Sequence, residues 1–168
     1  RLPPTNSQGE YYLTDVVAVL SEAGHPVASF VAPDPSETHG VNDRVQLAAA
    51  EAQLRARTNL GWLRRGVTMV DPATTYVDAT VRLAPDVTLF PGVVLQGHTV
   101  VGPDTEIGPG SHLVDCAVGA RCVLEHTVGR DAAIGDDAHV GPFAVLQPGA
   151  EVPSGARTGA FYTGSGEQ

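Results

Sequence analysis

The chain has 168 residues, 42% of them hydrophobic, with 19 acidic against 10 basic side chains and a formal charge of −9 at neutral pH. That balance excludes a nucleic-acid or anionic-membrane surface, since both need clustered Lys and Arg and the ten cations here are scattered; a phosphorylated small molecule, which a few local donors can hold, stays compatible. No apolar run approaches the roughly 20 residues needed to span a bilayer, no charged-then-apolar leader opens the sequence, and Cys116 and Cys122 are too few for a disulfide framework, so a cytoplasmic location is expected.

The sequence starts at Arg1 without an initiator methionine and changes composition near Gly66, which reads as a piece of something longer, in two parts joined by a helix. Residues 1–8, rich in Pro, Asn, Ser and Gln, are expected to be loop. From about Tyr11 to Ala23 the apolar positions Leu13, Val16, Val17, Val19 and Leu20 recur at helical spacing, with Gly24 placed to end the helix. Val27 to Val31 is β-branched enough for one strand, stopped by Pro33-Asp34-Pro35. Asn42 then reads as the N-cap of a long helix reaching about Arg65, with Gly66 ending it. Its length and charged sides read as a rigid connector, and its imperfect stripe of Val45, Leu47, Leu54, Leu60 and Leu63 equally as an amphipathic helix packed on the C-terminal part of the chain.

From Val77 a hexapeptide rhythm takes over. Counting in sixes gives Leu83, Leu89, Leu95, Val101, Ile107 and Leu113, then after one slip Val118 and Leu124, and after a second Val128, Ile134, Val140, Leu146, Val152 and Thr158. Four residues after nearly every aliphatic stands a small or β-branched residue, from Val81 and Val87 through Thr99, Thr105, Ser111, Ala117 and Cys122 to Ala132, Ala138 and Ala156. Glycines and prolines punctuate each unit, so every hexad is a short strand and a turn, and the whole is a solenoid of parallel β-coils that depend on their neighbours for a core. Cys122 falls in the small-residue column and is assigned to packing. Leu95 and Ile107 should point inward and Glu106 outward.

The blocks Asn6-Ser7-Gln8-Gly9-Glu10-Tyr11-Tyr12-Leu13-Thr14-Asp15, Gly40-Val41-Asn42-Asp43-Arg44-Val45-Gln46-Leu47 and Gly66-Val67-Thr68 with Asp71-Pro72, followed by the hexads, resemble the bacterial bifunctional N-acetylglucosamine-1-phosphate uridylyltransferases and glucosamine-1-phosphate acetyltransferases over all but about the last dozen residues. The resemblance implies the C-terminal tail of a Rossmann-like α/β nucleotidyltransferase domain (1–41), a connecting helix (42–66) and a mostly β region, a left-handed parallel β-helix (67–168). It implies an enzyme of UDP-N-acetylglucosamine biosynthesis that joins a sugar 1-phosphate to the nucleotide triphosphate UTP with Mg²⁺, and a homotrimer built along the β-helices. It also makes Asn42 a magnesium ligand in the complete protein, where an amide oxygen is a suitable hard donor; as a residue alone, Asn42 reads as the helix cap. The Glu10 to Asp15 block becomes a site-flanking helix start, and on its residues alone a cap with packed aromatics.

Two departures stand out. Where the family has Leu-Arg-Pro-Gly, this chain has Leu146-Gln147-Pro148-Gly149, and Gln cannot supply a guanidinium fork for a sugar phosphate. The lysine expected after Gly159-Ala160-Phe161 is replaced by Tyr162-Thr163-Gly164, and the family's later coils with the catalytic histidine and acetyl-CoA groove do not follow. Acetyl transfer is therefore expected to be absent, and the isolated chain inactive. His98, His112, His126 and His139 sit at different offsets in their hexads and predict no three-ligand zinc site. Two rival functions remain: a stand-alone, non-catalytic trimerisation or interaction module, and an acyltransferase of altered substrate range.

Overall fold

The computed structural model describes Ser7 and residues 9–166; the loop expected for residues 1–8 lies, apart from Ser7, outside the described residues. The chain divides into a unit spanning Arg1–Gly40 and one spanning Val41–Gln168.

In the first unit, α1 spans Asp15–Glu22, capped by Ala23, and Gly24 follows in the left-handed conformation that glycine adopts at little cost. The helix starts later than its apolar spacing predicts, and Tyr11 and Tyr12 are exposed, which corrects the expectation of packed aromatics. No strand forms over Val27–Val31, where every side chain is exposed and no partner strand is offered; β-branched composition alone cannot hold an extended segment in a ladder. Asp34 instead accepts from the Ser36 N–H and caps a 3₁₀ turn over Pro35–Thr38.

The second unit opens with α2, Arg44–Leu63. Its N-cap is Asp43, whose carboxylate accepts from the Gln46 N–H at 2.7 Å. The Gln46 side-chain oxygen reaches back to the Asn42 N–H at 2.6 Å, a capping box shifted by one residue. Asn42 is therefore not the cap. The predicted apolar stripe is not the packed face either, since Val45, Leu47, Leu54, Leu60 and Leu63 are exposed while Asn59 and Trp62 are buried. Asn59 sets that choice: its amide donates to Pro72 O at 2.8 Å and Thr75 O at 2.9 Å and pins the loop inside the first coil.

Beyond Gly66 the hexads wind into a parallel β-helix of about five coils with three sheets. The first face stacks Thr68–Met69, Thr88–Leu89, Glu106–Ile107, Val123–Leu124 and His139–Val140. The second stacks Tyr76–Val77, Val94–Gln96, His112–Val114, Val128–Arg130, Val145–Leu146 and Thr163–Gly164. The third stacks Arg82–Leu83, Val100–Val101, Ala117–Val118, Ala133–Ile134 and Glu151–Val152. Inside, the aliphatic column and the small column interlock, with Leu89, Leu95, Ile107, Leu113 and Leu124 fully enclosed.

The register departs from the hexad count at two points. Cys116, not Ala117, is the inward small residue, and Gly129, not Val128, is the inward residue of its strand. Both reflect coils that tighten: the paired spacing is 18 from Val94 to His112, but 16 from His112 to Val128. A Cβ on Gly129 would meet Leu113 Cδ2 at 3.2 Å and Cys116 Sγ at 3.3 Å, so the contracted coil leaves no room for the valine that periodicity placed there.

Hydroxyls in the small column serve the same contraction. The N–H groups of Cys116, Cys122 and Thr127 donate to Thr99 Oγ1, Thr105 Oγ1 and Ser111 Oγ at 3.2, 3.1 and 3.0 Å. Each is a buried backbone donor that would otherwise stay unpaired.

Candidate functional site

Asn42 lies exposed just ahead of the α2 N-cap, and its backbone N–H is held by Gln46. Among the described residues no group of three or more His, Cys, Asp or Glu side chains is arranged to hold a metal ion. The neighbouring carboxylate of Asp43 is already committed to the cap. The residues present thus fit Mg²⁺ only as one neutral oxygen donor, and no chemical step can be routed through the ion from this chain.

Gln147 is exposed one residue beyond Leu146 on the second face, where its N–H donates to Gly164 O at 2.9 Å. Because Gly129 pairs with Leu146, Arg130 stands level with Gln147 one coil earlier. An arginine thus shares that register position, on the preceding coil.

The histidines occupy separate parts of the surface. His112 projects from the second face, where Nε2 is 2.8 Å from Gln96 Oε1; His139 is on the first face; His98 and His126 are in turns. His126 stacks on Phe143 at 5.0 Å, and Phe143 on Phe161 at 5.4 Å, along one corner where all three backbones are left-handed. Periodicity of turn positions, rather than of metal-ligand types, is the sequence signal of this column.

Cys116 and Cys122 are both buried, and burial pushes both thiols up, away from the reactive thiolate. On another corner Arg121 makes two hydrogen bonds to Asp137, at 2.7 and 2.8 Å, and these hold the Asp137 carboxyl below the usual carboxylate range.

A trough of about 560 Å³ runs along the third face, lined by Ala117, Gly119, Ala133 and Gly135 among others, with Glu151 as its one ionisable lining residue. A shallow apolar floor without a paired acid and base suits a packing surface better than a reaction. A smaller trough of about 300 Å³ lies between α2 and the second face, lined by Leu54, Arg55, Tyr76 and Val77 among others, with the Arg55 guanidinium 4.5 Å from the Tyr76 ring centre. No helix among the described residues is long and apolar enough to cross a membrane.

No family model matches the chain. Among curated proteins it is 49% identical over 131 residues to the bifunctional protein GlmU of Thermobifida fusca, covering 78% of this chain and 27% of that protein. It is 44% identical over 128 residues to GlmU of Desulfitobacterium hafniense (76% and 28%) and 53% identical over 87 residues to GlmU of Corynebacterium jeikeium (52% and 18%). Among solved structures, a GDP-perosamine N-acetyltransferase variant from Caulobacter crescentus in complex with CoA and GDP-perosamine matches at 22% identity, covering 88% of this chain and 84% of that one, with a TM-score of 0.39. A hexapeptide transferase family protein from Anaplasma phagocytophilum matches at 19% identity over 61% and 76%, with a TM-score of 0.37. The chain spans about a quarter of the length of the Thermobifida fusca and Desulfitobacterium hafniense GlmU proteins, and it is similar to them over that stretch.

Proposed function

We propose that this chain is the C-terminal region of a cytoplasmic GlmU-like sugar-1-phosphate uridylyltransferase, of the UDP-N-acetylglucosamine pyrophosphorylase type. Its β-helix serves as a trimerisation scaffold and has lost acetyl transfer. The observation that carries the first half is the 49% identity across 131 residues that include the connecting helix and the coils. The uncovered apolar side chains of the first unit, Leu13, Phe30 and Val31 at 81, 88 and 84% exposure, support its being the tail of a larger domain whose core they would join. The parent's reaction is attack of a sugar 1-phosphate on the α-phosphorus of the nucleotide triphosphate with release of pyrophosphate, a Mg²⁺-assisted step dominated by positioning and charge stabilisation. Of this chain's residues, Asn42 alone is assigned to it.

Loss of acetyl transfer rests on Gln147, which lies within the coils and cannot clamp a phosphate as arginine does. A thiol-release assay with acetyl-CoA and glucosamine 1-phosphate should match the no-enzyme control. Turnover well above that control would restore the acyltransferase reading and remove this one.

A further inference from the structure

We propose that Tyr162 is a built-in end cap of the β-helix, a side chain that seals the apolar core at its last rung and keeps a second copy of the chain from stacking end-on there. The inference rests on the fold alone and is independent of the function proposed above.

Two inward columns run up the second face. The aliphatic column is Val77, Leu95, Leu113, Gly129, Leu146 and Gly164, paired level by level. Two residues earlier on each strand stands the column of smaller side chains, Thr75, Val93, Ser111, Thr127, Ala144 and Tyr162, whose carbonyls from Val93 onward each accept an N–H of the strand one coil earlier. The last rung inverts the rule: the largest side chain stands in the small column, and the aliphatic column holds no side chain.

The two exceptions fit each other in space. A Cβ on Gly164 would lie 3.2 Å from Tyr162 Cε1, 3.0 Å from Leu146 Cδ2 and 3.3 Å from Ala150 Cβ, so the edge of the tyrosine ring occupies the volume that an aliphatic side chain at 164 would fill. Gly164 is not in the left-handed region, so what it supplies there is room. Gly129 differs, because Leu113 and Leu146 of the coils on either side close over it, whereas Thr163–Gly164 is the edge of its sheet.

Burial shows what the ring covers. Leu146, Ala150 and Val152 are 2, 1 and 3% exposed, although Glu151–Val152 is also an edge strand with nothing stacked beyond it. Tyr162 is the aromatic side chain of that end packed against the core, as Trp62 of α2 is at the other. A stack of coils needs such ends, since each terminal coil otherwise shows water the apolar surface that a neighbour would cover. Tyrosine suits an end and not the middle. Among the described residues the buried side-chain polar atom without a partner is Asn59 Oδ1, so the Tyr162 hydroxyl reaches water. A rung laid on Thr163–Gly164 would seal that hydroxyl away unpaired.

The test is a double-variant cycle in the full chain, read by urea unfolding of Tyr162→Ala, Gly164→Leu and the two combined. Each single change should lower the midpoint, the first by emptying the end of the core and the second by displacing the ring. The pair restores a small residue beside an aliphatic one and should recover most of the loss, while Tyr162→Phe, which keeps the ring, should match the unmodified protein. In Tyr162→Ala the N–H groups of Val145 and Gln147, which donate to Tyr162 O and Gly164 O, should exchange with solvent faster, and those of Thr68 and Val70 on the first rung should not. The same variant should sediment as larger species than the unmodified chain at equal concentration. Losses that merely add in the pair, or a Tyr162→Ala chain with an unchanged midpoint and unchanged Val145 exchange, overturn the cap. If Tyr162→Ala alone fails to fold, recovery of folding in the pair supports the cap and continued failure overturns it. A Tyr162→Ala chain that opens at this end yet sediments as the unmodified one overturns the barrier to stacking and leaves the seal standing.

Discussion

Single side chains in this molecule work mainly by reconciling a regular repeat with coils of unequal length. Thr105 shows how: its hydroxyl donates to Gly119 O at 2.9 Å and accepts from the Cys122 N–H at 3.1 Å, both inside the core. Thr105→Val keeps the shape and removes both bonds, so it should cost about 1–3 kcal/mol in a urea melt, the penalty of stranding a buried polar group. A loss below half that lower bound would mean the backbone donor finds another acceptor. At the surface, the Arg121–Asp137 pair stabilises the ionised carboxylate in the fold. Because the folded value is depressed, its contribution is present at neutral pH and fades as the pH falls through that depressed value. The melting-temperature gap between the protein and an Arg121→Gln variant should therefore be small, both partners being solvent-exposed, and should close on acidification. A gap that widens at low pH would contradict this.

At the scale of the element, the hexad count placed most inward residues correctly because an aliphatic side chain every sixth residue has one physical explanation, a strand of fixed length at each side of a triangle. Leu95 and Ile107 are fully enclosed and Glu106 is exposed, as the count requires. Ile107→Ala should cost about 2–5 kcal/mol through lost burial and a cavity, and Glu106→Ala within roughly half a kcal/mol; equal urea midpoints for the two variants would refute the register. The count failed at Ala117 because the adjacent Cys116 is also small enough for the inward column, and at Val128 because the inward residue, Gly129, is not aliphatic and so is invisible to the pattern. Only the three-dimensional pitch, the 16-residue spacing from His112 to Val128, picks the smaller side chain at the second site. The α2 stripe failed for a different reason. Asn59, a polar residue invisible to apolar periodicity, binds two carbonyls of the first coil and turns the leucines outward.

For the whole molecule, the repeat made the β-helix legible, whereas the proposed chemistry rests on Asn42, whose local role had two readings in the sequence. The structure removes one of them: Asp43 caps α2, so the side chain of Asn42 is not needed there. The proposed role is tested with this segment placed behind a complete nucleotidyltransferase domain. Asn42→Ala should raise the Mg²⁺ requirement for pyrophosphate release and depress turnover, while leaving the oligomer and the thermal melt unchanged. Asp43→Ala is the matched control, expected to cost about 1 kcal/mol of stability through the lost cap and to leave the Mg²⁺ titration where it was. The two neighbours thereby separate metal ligation from helix capping within one experiment. A titration curve for Asn42→Ala that superimposes on that of the unmodified protein would take Asn42 out of the site and leave the chain as scaffold alone.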